Sequence, residues 1–239
     1  MGIISTIKTL GGCVFQAPRL LRRRVFLWRF FAMPDRAVAF VDGFNLYHSI
    51  ATSRFKKYRW LDLKSLVNHF LRKNERLDAL NYYTAFATWR SQESIDRHRA
   101  YVSALESTGV NVITGKFLRK ERSCPLCEQK FQAHEEKFTD VNIALGILST
   151  CIQNEADSIY LVSGDNDLIP ALLAARKLYP TVKLNVLLPL NARAKHLKTM
   201  CAQNGFRYSK ITEEHLAEAQ LSDQIHLPKI ILSRPSRWT

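Results

Sequence analysis

From residue 37 onward, apolar and polar positions follow one another in the rhythm of strand, helix, strand. Residues 37–41 are a short unbroken apolar run, the pattern of a parallel strand buried on both faces. Residues 63–71 place apolar side chains at helical spacing. A strand-like run over 79–86 and a long polar helix around 93–107 come next, and Gly109 stops that helix. Another short strand is predicted at 110–114. Residues 116–137 then break the rhythm with dense charge and a Cys-Pro-Leu-Cys turn. Beyond them the pattern predicts a helix at 141–151, a strand at 158–162, a helix at 168–179 and a strand at 184–188. A basic helix near 193–203, a strand at 206–209 and a helix at 213–218 complete it. Strands separated by helices require crossover connections. The predicted fold is therefore α/β, a three-layer sandwich with a mostly parallel central sheet and a cysteine-containing insert. Tyr82, Tyr83 and Phe86 are expected to pack in its core, and there is no internal repeat or low-complexity block.

The rhythm covers residues 33–220, with the insert at about 116–137, and a polar tail over 221–239 is expected to wrap the surface. Residues 1–32 contain no Asp or Glu but carry Lys8, Arg19, Arg22, Arg23, Arg24 and Arg29. They read either as a basic arm for RNA or a membrane surface, or as an extension upstream of a start at Met33, and the second is preferred. Across 239 residues, 35 Lys+Arg against 21 Asp+Glu leave a formal charge of +14. The 46% hydrophobic and 23% charged content excludes a disordered or fibrous chain. No apolar run is long enough for a membrane span. Five cysteines are too few and too uneven for a disulfide framework and suit a reducing, cytoplasmic setting. The positive balance points to an anionic partner, nucleic acid first.

Ligands of parallel α/β sheets bind beyond the carboxyl ends of the strands, so the residues leaving each strand are the candidates. The first strand runs into Asp42-Gly43-Phe44-Asn45, and the strand at 158–162 runs into Ser163-Gly164-Asp165-Asn166-Asp167. A helix starting near Thr139 carries Asp140 in its first turn. Four acids, Asp42, Asp140, Asp165 and Asp167, are thus expected to converge in an otherwise basic protein. Clustered carboxylates repel one another unless a cation compensates, and an all-oxygen donor set suits Mg²⁺ or Mn²⁺. Each acid also has a plainer role open to it. Asp42-Gly43 can shape a turn, Asp140 can answer a helix dipole, and Asp167 can cap the helix that follows.

Ala39-Phe40-Val41-Asp42-Gly43-Phe44-Asn45-Leu46 resembles the opening motif of NYN-domain proteins, the LabA-like branch of the PIN-like nuclease superfamily. Lys137-Phe138-Thr139-Asp140-Val141 and Ser163-Gly164-Asp165-Asn166-Asp167-Leu168 resemble that family's second and third acidic motifs, in the expected order. The resemblance spans about residues 36–210. It implies a PIN-like sandwich and RNA cleavage dependent on Mg²⁺ or Mn²⁺, with Asp42, Asp140, Asp165 and Asp167 holding metal. It further implies that Asn45 orients a ligand or the scissile phosphate, and that Ser163 and Asn166 tune the acids from behind. Some bacterial proteins that look like NYN domains bear the name 6-hydroxy-3-succinoylpyridine 3-monooxygenase, which would make the chain an NADH-dependent enzyme of nicotine degradation. No Gly-x-Gly-x-x-Gly follows a strand and no iron triad is evident, so the residues themselves favour the nuclease. A non-catalytic RNA-binding regulatory module is the third alternative.

Cys124-Pro125-Leu126-Cys127 followed by His134 is half of a structural zinc site by spacing. The missing ligand is open among Glu128, Glu135, Glu136, Cys151 and a second subunit, and the alternative is a surface hairpin with reduced thiols. Arg54, Lys56, Lys57, Arg59 and Trp60 mix charge with rings suited to a phosphate backbone and a stacked base. Arg193, Lys195 and Lys198 are expected to line one helix as further contacts to RNA. His48 reads as an ordinary helix histidine, and the oligomeric state stays open, a dimer included.

Overall fold

The computed structural model describes residues 33–51 and 54–238. The basic arm expected over 1–32 lies outside them. In chain order the strands are β1 (Asp35–Asp42), β2 (Glu75–Thr84), β3 (Asn111–Thr114), β4 (Lys116–Ser123), β5 (Lys130–Lys137), β6 (Ser158–Val162), β7 (Lys183–Leu188), β8 (Arg207–Lys210), β9 (Gln224–His226) and β10 (Ile231–Ser233). The helices are α1 (Gly43–Ala51), α2 (Leu63–Asn68), α3 (Gln92–Ser107), α4 (Thr139–Ile152), α5 (Ile169–Leu178), α6 (Lys195–Gln203) and α7 (Glu213–Glu218). Six strands form one sheet in the order β3-β2-β1-β6-β7-β8, and every pairing in it is parallel. The expected α/β sandwich is the observed one.

β1 lies at the centre of this sheet, and its side chains feed two cores. Ala37, Ala39 and Val41 join the cluster containing Leu46, Leu66 and Leu105, from α1, α2 and α3. Val38 and Phe40 join the cluster containing Ile143, Leu172 and Leu197, from α4, α5 and α6. A strand covered on both faces has no solvent side, which is why its sequence is apolar without interruption. Tyr82 and Tyr83 are buried, one in each cluster, and Phe86 packs against the first, as expected.

Trp60 departs from expectation. Expected among the nucleic-acid contacts, it is instead fully buried, and its indole N–H donates to the Ser222 carbonyl at 2.8 Å. Its ring lies 6.1 Å from Trp238 and 6.0 Å from Tyr101. An indole offers a large apolar area and a single donor, so a core site with one carbonyl satisfies it fully. The tail does more than wrap the surface. β9 and β10 pair as an antiparallel hairpin, and Trp238 is driven into the first core. No helix among the described residues is long and apolar enough to cross a membrane.

Candidate active site

The chain builds outward from β1 through β2 and β3 on one side and through β6, β7 and β8 on the other. The strand order therefore reverses between β1 and β6, the place where a parallel sheet leaves a crevice at its carboxyl rim. Asp42 ends β1 and is buried. One of its oxygens, Oδ1, accepts the Asn45 N–H at 3.0 Å, so it caps the first turn of α1. The other, Oδ2, accepts the Ser163 hydroxyl at 2.9 Å. Ser163 Oγ accepts in turn from the Asp165 N–H at 3.0 Å, and Asn45 Oδ1 accepts from the Gly164 N–H at 2.9 Å. Two strand ends are thus laced together by side chains of the first and third motifs. Gly43 is required at the turn, because a Cβ there would lie 2.5 Å from the Tyr83 carbonyl oxygen.

Asp165 caps the short turn that leads into α5, accepting the Asp167 N–H at 3.0 Å. Asp140 sits in the first turn of α4. One carboxylate oxygen from each of Asp42, Asp140 and Asp165 lies within 4.8 Å of the others, and among the described residues this is the one such group of potential metal ligands. Asp167 is exposed and falls outside it, although its charge still acts on Asp140. Asn166 is exposed beside it.

The electrostatics register the crowding. Burial pushes the Asp42 carboxyl up against the pull of the Asn45 N–H and the Ser163 hydroxyl, and the charge of Asp165 adds to the rise. Partial burial, then the charges of Asp42, Asp165 and Asp167, push Asp140 up to about 6. Glu136 is pushed up to about 7, by burial first and then by Asp42 and Asp140. Sequence reasoning missed Glu136 as an acid of this site and weighed it only as a zinc ligand. The available signal was its place at the end of the insert, three residues ahead of Thr139, whose hydroxyl donates to it. Between them Phe138 adopts a left-handed conformation, φ 82°, that swings the chain from β5 into α4. Carboxylates that resist ionising together in an oxygen-only cluster match a hard divalent cation such as Mg²⁺ or Mn²⁺.

An open cleft of about 360 Å³ adjoins the acids, lined among others by Asn45, His48, Gly164 and Arg193. Of the basic residues singled out, Arg193 reaches this cleft, while Lys195 and Lys198 follow on α6. Arg54, Lys56, Lys57 and Arg59 come after α1, about 13 Å long, which starts at the rim and leads away from it. There Arg54 pairs with Glu213 at 3.8 Å, and Arg59 lies over the Trp238 ring.

The insert is an antiparallel ribbon of β4 and β5 with the cysteine turn at its tip. His134 is not beside the cysteines, where the zinc spacing predicts it. It pairs in register with Arg119, four positions below the last pair Ser123–Lys130, and stacks on Trp89 with ring centroids 3.8 Å apart. Four strand residues are about 13 Å, too far for one metal ion. Trp89 also meets Phe117 edge-on at 4.5 Å, and Phe117 meets Phe44 at 5.4 Å, so rings anchor the ribbon beside the first motif.

Residues 36–206 match the family model of the NYN domain. The chain is 25% identical over 244 aligned positions to "6-hydroxy-3-succinoylpyridine 3-monooxygenase HspA" of Pseudomonas putida (strain DSM 28022 / S16), an alignment covering 86% of this chain and 76% of that protein. The fold is also similar to the crystal structure of a protein of unknown function from Vibrio parahaemolyticus RIMD 2210633. There the TM-score is 0.52 at 16% identity, covering 76% of this chain and 95% of the other.

Proposed function

We propose, from the premise that this chain belongs to the NYN domain family, that it is a ribonuclease dependent on Mg²⁺ or Mn²⁺. The family's fold is of nuclease type, and the carrying observation is the meeting of Asp42, Asp140 and Asp165 at the switch point of the sheet. Hydrolysis of a phosphodiester adds a water oxygen to phosphorus and breaks the bond to one ribose oxygen, so negative charge gathers on the phosphoryl and departing oxygens. A divalent cation supplies Lewis acidity there, making water easier to ionise and steadying the departing charge. Asp42, Asp140 and Asp165 would hold it, with Asp167 and Glu136 adding negative field.

The remaining residues act by positioning. Ser163 fixes Asp42 and Asp165 relative to each other through its two hydrogen bonds. Asn45 ties the turn after β1 to the turn after β6, while Arg193 offers the adjoining cleft a cation for the phosphate backbone. RNA is the proposed partner, met in a reducing, cytoplasmic setting that suits the free thiols of Cys124, Cys127, Cys151 and Cys201.

A second reading, hydroxylation of a pyridine, follows from the name of the Pseudomonas putida relative, and NADH would be the reductant of that reaction. One experiment separates them. The full chain is given labelled RNA with Mn²⁺, Mg²⁺ or EDTA and, in parallel, NADH with 6-hydroxy-3-succinoylpyridine. Metal-dependent RNA fragments without pyridine-dependent NADH consumption are expected. NADH oxidation that requires the pyridine, with intact RNA, would reverse the assignment.

A further inference from the structure

The tip of the β4–β5 ribbon is built in a way the nuclease chemistry does not use. The Cys124 N–H donates to the Gln129 carbonyl at 2.9 Å, and the Glu128 N–H returns to the Cys124 carbonyl at 2.9 Å. Glu128 takes a left-handed conformation, φ 56°, directly after the second cysteine. A non-glycine residue in that region is uncommon, and here it curls the turn back on itself. The two backbone bonds close a tight turn that carries both Cys124 and Cys127 as free thiols. Two cysteines separated by two residues in one tight turn make half of a tetrahedral soft-metal site.

The other half is not nearby. His134 is stacked on Trp89, Glu121 pairs with Lys130 at 3.0 Å, and Glu135 pairs with Lys137 at 2.8 Å. Among the described residues, three or more ligand groups come together only at the acidic rim. The two faces of the ribbon also differ. Phe117 and His134 lie on the face that meets Trp89 and Phe44. On the opposite face Leu118 and Phe131 are 50% and 51% exposed, and Leu126 at the tip is 95% exposed. A two-stranded ribbon is marginal by itself in water, and Leu126 leaves an apolar side chain bare beside the two cysteines at its tip.

We propose that Cys124 and Cys127 form half of a four-thiolate zinc site completed by the same two cysteines of a second copy of this chain. A twofold contact is self-complementary, so two identical tips supply four sulfurs and bring their apolar side chains together. The zinc joins chains and takes no part in hydrolysis, so this assignment stands or falls independently of the nuclease.

The test uses the full chain, purified with Zn²⁺ under reducing conditions. Zinc content and mass in solution are measured before and after chelation, and again for Cys124→Ser/Cys127→Ser. The expected result is half a zinc per chain and a particle of about 55 kDa, twice the 27.5 kDa chain, that falls to monomer on chelation or in the double variant. Replacement by Co²⁺ should give sulfur-to-metal charge-transfer absorption of a four-thiolate site. The tip is exposed, so circular dichroism should be unchanged in the variant. Chelation of the unaltered chain gives the same answer should the variant not fold. Absence of zinc, one zinc per monomer, a Cys124–Cys127 disulfide in the purified chain, or a dimer that survives both chelation and the double variant would overturn the proposal.

Discussion

Replacing Asp140 by Asn removes one charge from the acidic rim while keeping its shape, and the metal-free chain should become more stable for it. Partial burial and the charges of Asp42, Asp165 and Asp167 raise the Asp140 carboxyl from 3.8 to about 6. At about 1.4 kcal/mol per tenfold change in proton affinity, that difference is a ceiling of about 3 kcal/mol. The carboxylate reaches solvent, and screening reduces the figure to about 1–1.5 kcal/mol. The sign follows from the direction of the shift. Below pH 3.8 the carboxyl is protonated, folded or unfolded, and costs nothing; as pH rises through about 6 the folded chain must ionise it against its neighbours, and stability is lost. His98 works the other way. Burial lowers it to about 4, so stability rises with pH towards 6.5. That trend is common to both proteins and cancels in their difference. Thermal unfolding in EDTA should therefore find Asp140→Asn equal to the parent near pH 4 and about 3–5 °C higher at pH 7.5. Mn²⁺ should close or invert the gap by stabilising the parent selectively. A variant that is no more stable at pH 7.5, or that gains as much from Mn²⁺ as the parent, would refute the idea that these carboxylates are held together in need of a cation.

Ser163→Ala should cost about 2 kcal/mol in urea unfolding, because it leaves buried Asp42 and the Asp165 N–H without their shared partner; a loss under 0.5 kcal/mol (roughly the scatter of neutral changes) would argue against the strap. Glu75 has a fully buried side chain, yet donors from Arg72, Ser158 and Tyr160 overcome its burial and hold its carboxyl down to about 2. Its stabilising contribution is present above pH 4.5 and lost as pH falls towards 2, so Glu75→Gln should cost about 3 kcal/mol at pH 7 and little at pH 2.5. Equal costs at both pH values, from denaturant curves, would contradict this. Trp238→Ala should cost about 3 kcal/mol by opening the junction with Trp60 and Tyr101; an unchanged urea midpoint would mean the tail is not part of the core.

The parts of this molecule legible from sequence share one property: they depend on local pattern and strand direction. An unbroken apolar strand ending in an acid, repeated at Asp42 and again before Asp165, puts two carboxylates at one rim once the sheet is parallel. Asp140 follows because a helix start just after the insert returns the chain to that rim. What stayed hidden depended on which face a loop residue turns inward. Trp60 sits among cations in sequence, but the tail supplies the carbonyl and rings that bury it. His134 has zinc-like spacing from Cys127, but antiparallel register, not spacing, decides which residues of a ribbon meet. Glu136 became a site acid only because Phe138 turns the chain sharply between it and α4. The belt from Phe44 through Phe117 to Trp89 joins three segments far apart in sequence, and no periodicity announces such a contact.

Most directly, the central claim is tested by measuring cleavage of a uniformly labelled RNA by the full chain over a Mn²⁺ titration, beside Asp165→Asn. Asp165 contributes an oxygen to the acid cluster. Fragments that appear with Mn²⁺, vanish with EDTA and are missing from a folded Asp165→Asn are the predicted result. Equal cleavage by the variant, or cleavage indifferent to EDTA, would contradict it.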